Sequence, residues 1–82
     1  MIKVIAARYA GEFRVTLEFS DGVVGEFDGS ALLERRGPLL EPLSDANYFG
    51  RCFVDTGALC WPNGLELSPT HLRESVRVLE SA

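Results

Sequence analysis

The chain is poor in the residues on which most enzyme chemistry depends. Its 82 residues hold one histidine, two cysteines, one tryptophan and one methionine. Nucleophilic catalysis needs a nucleophile with a base in reach, and no signature of that kind surrounds the single histidine, His71. Cys52 and Cys60 form neither a C-x-x-C pair nor a zinc spacing. In a reducing compartment they are expected as thiols, packed as small apolar side chains rather than acting in redox chemistry. Phosphate-cradling glycine loops are missing too, with no G-x-x-x-x-G-K and no G-x-G-x-x-G. Catalytic, cofactor-binding and metal-ligating residues are therefore all expected to be none.

Positive charge is also scarce. Eight Lys and Arg stand against twelve Asp and Glu, a net charge of −4. They are scattered along the chain, with Arg35-Arg36 the one adjacent pair. A phosphate-backbone interface needs clustered Lys and Arg, so nucleic-acid binding by this domain alone is not expected. No apolar run approaches membrane-spanning length, and Met1-Ile2-Lys3-Val4-Ile5 is too short and too β-like for a secretory leader. The expected location is the cytoplasm, with no membrane contact.

What is present is a globular composition, 46% hydrophobic and 24% charged. Area scaling for this size gives a folded surface of roughly 4,900 Å² and burial of about 63% on folding. That suffices for one domain, 1–82, with little margin, so self-association or docking would help it.

Lys3-Val4-Ile5-Ala6-Ala7-Arg8-Tyr9 reads as a first strand, with a turn at Ala10-Gly11-Glu12. Phe13, Val15, Leu17 and Phe19 alternate with Arg14, Thr16 and Glu18, the pattern of a half-buried antiparallel strand. Asp21-Gly22 predicts a hairpin with positive φ at both residues, and Val23, Val24 and Phe27 return as a third strand interrupted by Gly25. Asp28 or Ser30 is placed to cap a short helix stopped by Gly37-Pro38, and Ser44 to Phe49 reads as one capped turn ended by Gly50. Cys52 to Asp55 and Ala58 to Trp61 flank Thr56-Gly57 as another hairpin. A two-residue loop there puts the two cysteines on opposite faces, and a three-residue loop sets them opposite each other. Ser68 is an N-cap with Pro69 at the first helical position. Leu72, Val76 and Leu79 then predict a helix to about Glu80.

The expected fold class is thus α+β: a small antiparallel sheet of about five strands, order β-β-β-α-β-β-α, with a C-terminal helix packed on it. Asp21, Asp28, Asp45 and Asp55 all fall at turns, where Asp bonds its own backbone. Convergence of several of them on a metal would require separate loops to meet. Trp61, at a strand end, packs against the following helix or serves as an anchor in an interface, where Trp is enriched. Tyr48-Phe49 carries the same two readings. Trp61, Asn63, Tyr48 and Phe49 are the candidate interaction residues.

The segment Trp61-Pro62-Asn63-Gly64-Leu65-Glu66-Leu67-Ser68-Pro69 resembles the W-P-N-G-x-D-L-x-P signature of a bacterial domain-of-unknown-function family, number 2442. Phe19-Ser20-Asp21-Gly22 with Phe27-Asp28 is similar to its F-S-D-G…F-D element. Leu43-Ser44-Asp45 with Phe49 is similar to its central L-x-D…F element. Glu66 departs from the usual Asp. The resemblance implies a compact α+β domain without a known activity. Some relatives join the domain to a C-terminal helix-turn-helix, or are encoded beside another small protein in an arrangement like toxin–antitoxin pairs. These 82 residues are expected to leave no room for a DNA-binding half.

The function expected from all this is a non-enzymatic protein-interaction or regulatory module, acting as a homodimer or with the product of a neighbouring gene. The alternative is a small-ligand or metal-binding protein, or an enzyme, with a site near His71.

Overall fold

Three tight turns, two of them two-residue loops with positive φ at both positions, shape the sheets. The computed structural model describes residues 1–35 and 37–81; Arg36, half of the one adjacent basic pair, and Ala82 lie outside the described residues. Strands β1 (Val4–Gly11) and β2 (Arg14–Phe19) are joined through Glu12 and Phe13, with φ of 53° and 61°. A two-residue type I′ loop requires positive φ at both positions. The turn therefore lies later than Ala10-Gly11-Glu12 predicts, and Phe13 leaves the alternating strand to occupy it. A left-handed aromatic residue is unfavourable on its own. Tertiary contacts hold it: the Phe13 ring meets Phe49 edge-on at 5.4 Å, its N–H donates to the Tyr9 hydroxyl (3.3 Å), and its carbonyl accepts from Gly29 N–H (2.8 Å).

The turn from β2 into β3 (Val24–Asp28) also differs from expectation. Gly22 alone takes positive φ, at 88°, while Gly22 N–H donates to Phe19 O (3.0 Å) and Phe19 N–H to Val23 O (2.8 Å). This is a three-residue loop closed by a glycine bulge. The third hairpin fulfils its sequence signal. Thr56 and Gly57 have φ of 48° and 83°, and Phe53 pairs with Cys60 and Asp55 with Ala58. The loop has two residues.

One sheet of about five strands is corrected to seven strands in two sheets among the described residues, of order β1-β2-β3-β7 and β4-β5-β6. The second comprises β4 (Phe53–Asp55), β5 (Ala58–Cys60) and β6 (Glu66–Leu67). Between β3 and β4 run α1 (Ser30–Leu33), a 3-10 turn (Glu41–Ser44) and α2 (Ala46–Phe49). Gly29 holds the N-cap position of α1, and Asp28 supports it by accepting from Ser30 N–H (2.9 Å). Asp45 caps α2 through Asn47 N–H (2.9 Å), within the Ser44 to Phe49 stretch expected as one capped turn.

The C-terminal helix is the largest correction. Helix α3 (Pro69–Ser75) ends well short of Glu80, and β7 (Arg77–Glu80) pairs antiparallel with β3. Val76 has ψ of 150° and breaks the helix. Its side chain lies over Gly25, where an added Cβ would come within 2.6 Å of Val76 Cγ2. The next residues then run along the edge of β3, with Arg77 opposite Glu26 and Val78 opposite Gly25. Backbone pairing on that edge outweighs the helical spacing of Leu72, Val76 and Leu79.

The core lies between the two sheets. Val15, Leu17 and Phe19 of β2 are fully buried, as are Leu59 of β5, Leu43 and Phe49 of the helical connection, and Leu72 of α3. The accessible surface is 5044 Å², close to that expected for a chain of this size.

Candidate functional site

The sequence-predicted contact residues divide between core and surface. Trp61 is 1% exposed, and its indole N–H donates to Phe49 O at 2.9 Å. Phe49 is fully buried and packs against Tyr9, Phe13 and Trp61 at ring distances of 5.9, 5.4 and 5.4 Å. Neither ring offers area to a partner in this fold, so the interface reading of Trp61 and Phe49 gives way to the packing one. Asn63 is half-buried and holds two segments together: its amide donates to Leu39 O (2.9 Å), 24 residues away, and its side-chain oxygen accepts from Leu65 N–H (3.1 Å) within the turn. Tyr48 is half-buried, with the Arg51 guanidinium 5.9 Å from its ring centre.

Cys60 is buried, Cys52 half-buried, and both are free thiols. Burial pushes both thiols up, and for Cys60 the nearby charges of Glu66 and Asp55 act in the same direction. Only the thiolate is the nucleophile. Alkylation of the native protein at neutral pH is therefore expected to be slower than that of a free thiol. It should keep accelerating above the pH at which a free thiol levels off. Rapid labelling of Cys60 by iodoacetamide would contradict its packing role.

Two features face outward. The first is β7, an edge strand whose four residues are all exposed. Val78 and Leu79 are 49% and 47% exposed, although both are apolar. Leu79 is an extra residue: Val78 aligns with Gly25 and Glu80 with Val24, which leaves Leu79 unpaired in a bulge.

The second is a cleft of about 600 Å³. It exists because the β3–β7 pairing stops at Glu26 and Arg77, so the following residues of β3, Phe27 and Asp28, have no strand neighbour on that side. Helices α1 and α3 and strand β6 wall the gap, and Phe27, Leu32 and Leu67 contribute its apolar lining. Arg14, Arg35, Arg77 and His71 line it together with Glu26 and Asp28. Three of the eight basic residues and the one histidine thus meet in space, although they are scattered in sequence. Glu26 stands between Arg14 (3.8 Å) and Arg77 (3.6 Å). Asp28 is held below the ordinary carboxylate range by bonds from the Ser30 hydroxyl and N–H, against some desolvation and with help from Arg14. Among the described residues no three His, Cys, Asp or Glu side chains gather as a metal site would need. No helix among them is long and apolar enough to cross a membrane.

A family model described as a protein of unknown function, DUF2442, matches residues 4–77. The chain belongs to this family. The matched span of this DUF2442 domain contains every ionisable residue of the cleft and ends at the first residue of β7. No curated protein and no solved structure matches the chain.

Proposed function

We propose that this DUF2442 domain is a non-enzymatic interaction module that regulates, or is regulated by, another protein, the product of a neighbouring gene in an arrangement like a toxin–antitoxin pair. The observation that supports this reading most is the edge of β7. Edge strands present unpaired N–H and C=O groups, and proteins usually guard them with charge or cover. Here the bulge at Leu79 twists the edge, but two half-exposed apolar side chains remain on it. Leu79 is 47% exposed, so burying the rest of it in a partner contributes about 0.7–1.5 kcal/mol, a change in affinity of roughly threefold to tenfold.

Co-purification with the neighbouring gene product, with sedimentation of the domain alone, tests the proposal. Leu79→Lys is expected to weaken association at least about tenfold while leaving the fold intact, because the residue is 47% exposed and a lysine there can reach water. A domain that stays monomeric, captures no partner and is indifferent to Leu79→Lys would refute it. A homodimer sensitive to Leu79→Lys would keep the edge and replace the partner by a second copy.

The cleft favours a second reading, small-ligand binding beside His71. Its volume falls within the range of small-molecule sites, and it combines apolar lining with a few convergent polar groups.

A further inference from the structure

We infer that the cleft between α1, α3 and β3 is a binding site for a small organic anion, a carboxylate or phosphate ester carried on an apolar body. The inference rests on the small-ligand reading of that cleft and names the ligand's chemical class.

The first argument is the state of the donors. Arg14, Arg35, Arg77 and His71 donate no side-chain hydrogen bond to any other described residue. Arg73, outside the cleft, shows the contrast, since its Nε donates to Asp21 Oδ2 at 3.0 Å. The two contacts on Glu26, at 3.8 and 3.6 Å, are ion pairs too long to be hydrogen bonds. One carboxylate is thus shared between two guanidinium groups, whose N–H donors remain available. Guanidinium forks match carboxylate and phosphate oxygens, and such charge-assisted bonds are the strong ones.

The second argument is the balance of charge. Three arginines line the cleft with two carboxylates, and a third carboxylate, the exposed Glu12, stands 3.7 Å from Arg14, so basic groups match acidic ones here before His71 is counted, in a protein of net charge −4. Long-range attraction does not gather arginines; the fold places them at residues 14, 35 and 77 from three different segments.

The third argument is the apolar lining. Exposed Ala31 and half-buried Leu67 supply most of it, because Phe27 and Leu32 show the cleft only their 6% and 9% exposed edges. Free inorganic ions would leave this surface wet. A ring or short alkyl body would cover it while its anionic end reached the arginines.

The test titrates the isotopically labelled domain by NMR with four probes at low salt: benzoate, phenyl phosphate, the neutral isostere benzamide, and acetate. Saturable shifts confined to residues around the cleft are expected for benzoate or phenyl phosphate, and the tighter of the two identifies the anion. Arg35→Ala and Arg77→Ala should each weaken that binding about fivefold to tenfold. Glu26→Gln, which removes the competing carboxylate, should strengthen it about threefold or more. A merely structural role for Glu26 does not produce tighter binding. Raising salt to about 0.5 M should weaken binding, because the cleft is open to solvent. Benzamide binding as tightly as benzoate, or a Glu26→Gln variant that binds more weakly, would overturn the anion assignment and leave the small-ligand reading standing. No saturable shift with any probe would overturn both.

Discussion

Replacing Trp61 by Ala is expected to remove about 3–5 kcal/mol of stability. Domains of this length have on the order of 4–12 kcal/mol in total, so the variant should lie near the edge of folding. The residue is 1% exposed, and its ring meets Phe49 at 5.4 Å. Its backbone also closes the turn that follows, with its N–H donating to Leu65 O and its carbonyl accepting from Gly64 N–H, both at 3.0 Å. Alanine keeps those backbone bonds and loses the indole. Trp61→Phe separates the remaining parts: most of the apolar area stays, but Phe49 O loses the 2.9 Å bond from the indole. A loss of about 1–3 kcal/mol is expected for an acceptor left unsatisfied in the core. Urea unfolding followed by circular dichroism is the measurement, because Trp61 is the only tryptophan and both variants lack its fluorescence. A loss below about 1 kcal/mol for Trp61→Ala would show that the two sheets do not depend on this contact.

Gly29→Ala is the second large effect. Gly29 has φ of −77° and ψ of −2°, which alanine adopts without strain. The difficulty is space. A Cβ at this position would overlap the Phe49 ring, with Phe13 O also 3.0 Å away. Phe49 cannot swing aside easily, since Tyr9, Phe13 and Trp61 pack around it. Overpacking of this kind costs about 1–3 kcal/mol. The cause can be isolated by a double-mutant cycle with Phe49→Leu. Phe49→Leu by itself destabilises, but the pair should be less damaging than the sum by about 0.5–3 kcal/mol. Strict additivity would mean that the clash is relieved elsewhere.

Both predictions turn on Phe49, which the sequence presents only as half of an ambiguous Tyr48-Phe49 pair. Its neighbours along the chain do not distinguish core from interface. The decision comes from Tyr9, Phe13, Gly29 and Trp61, which are brought to it by three different segments. The family signature is similarly double. Asn63 and Gly64 shape a local turn through bonds that the motif itself suggests, whereas the partner of Trp61 is Phe49, twelve residues upstream.

Sequence alone determined the features governed by local chemistry. The alternation of Val15, Leu17 and Phe19, the Thr56-Gly57 turn, the Asp45 cap, the start of α3 at Ser68-Pro69 and the family follow from short-range preferences of backbone and side chain. Tertiary structure decided where local signals were balanced or absent. Residues 76–80 suit a helix by spacing and a strand by composition, and the free edge of β3, with Gly25 leaving room for Val76, settles them as β7. The cleft is the extreme case. Its arginines stand at residues 14, 35 and 77, with histidine at 71, and no local pattern links them. They meet because β7 returns along β3 and leaves its last two residues, Phe27 and Asp28, uncovered, a consequence of chain path that no short-range preference encodes.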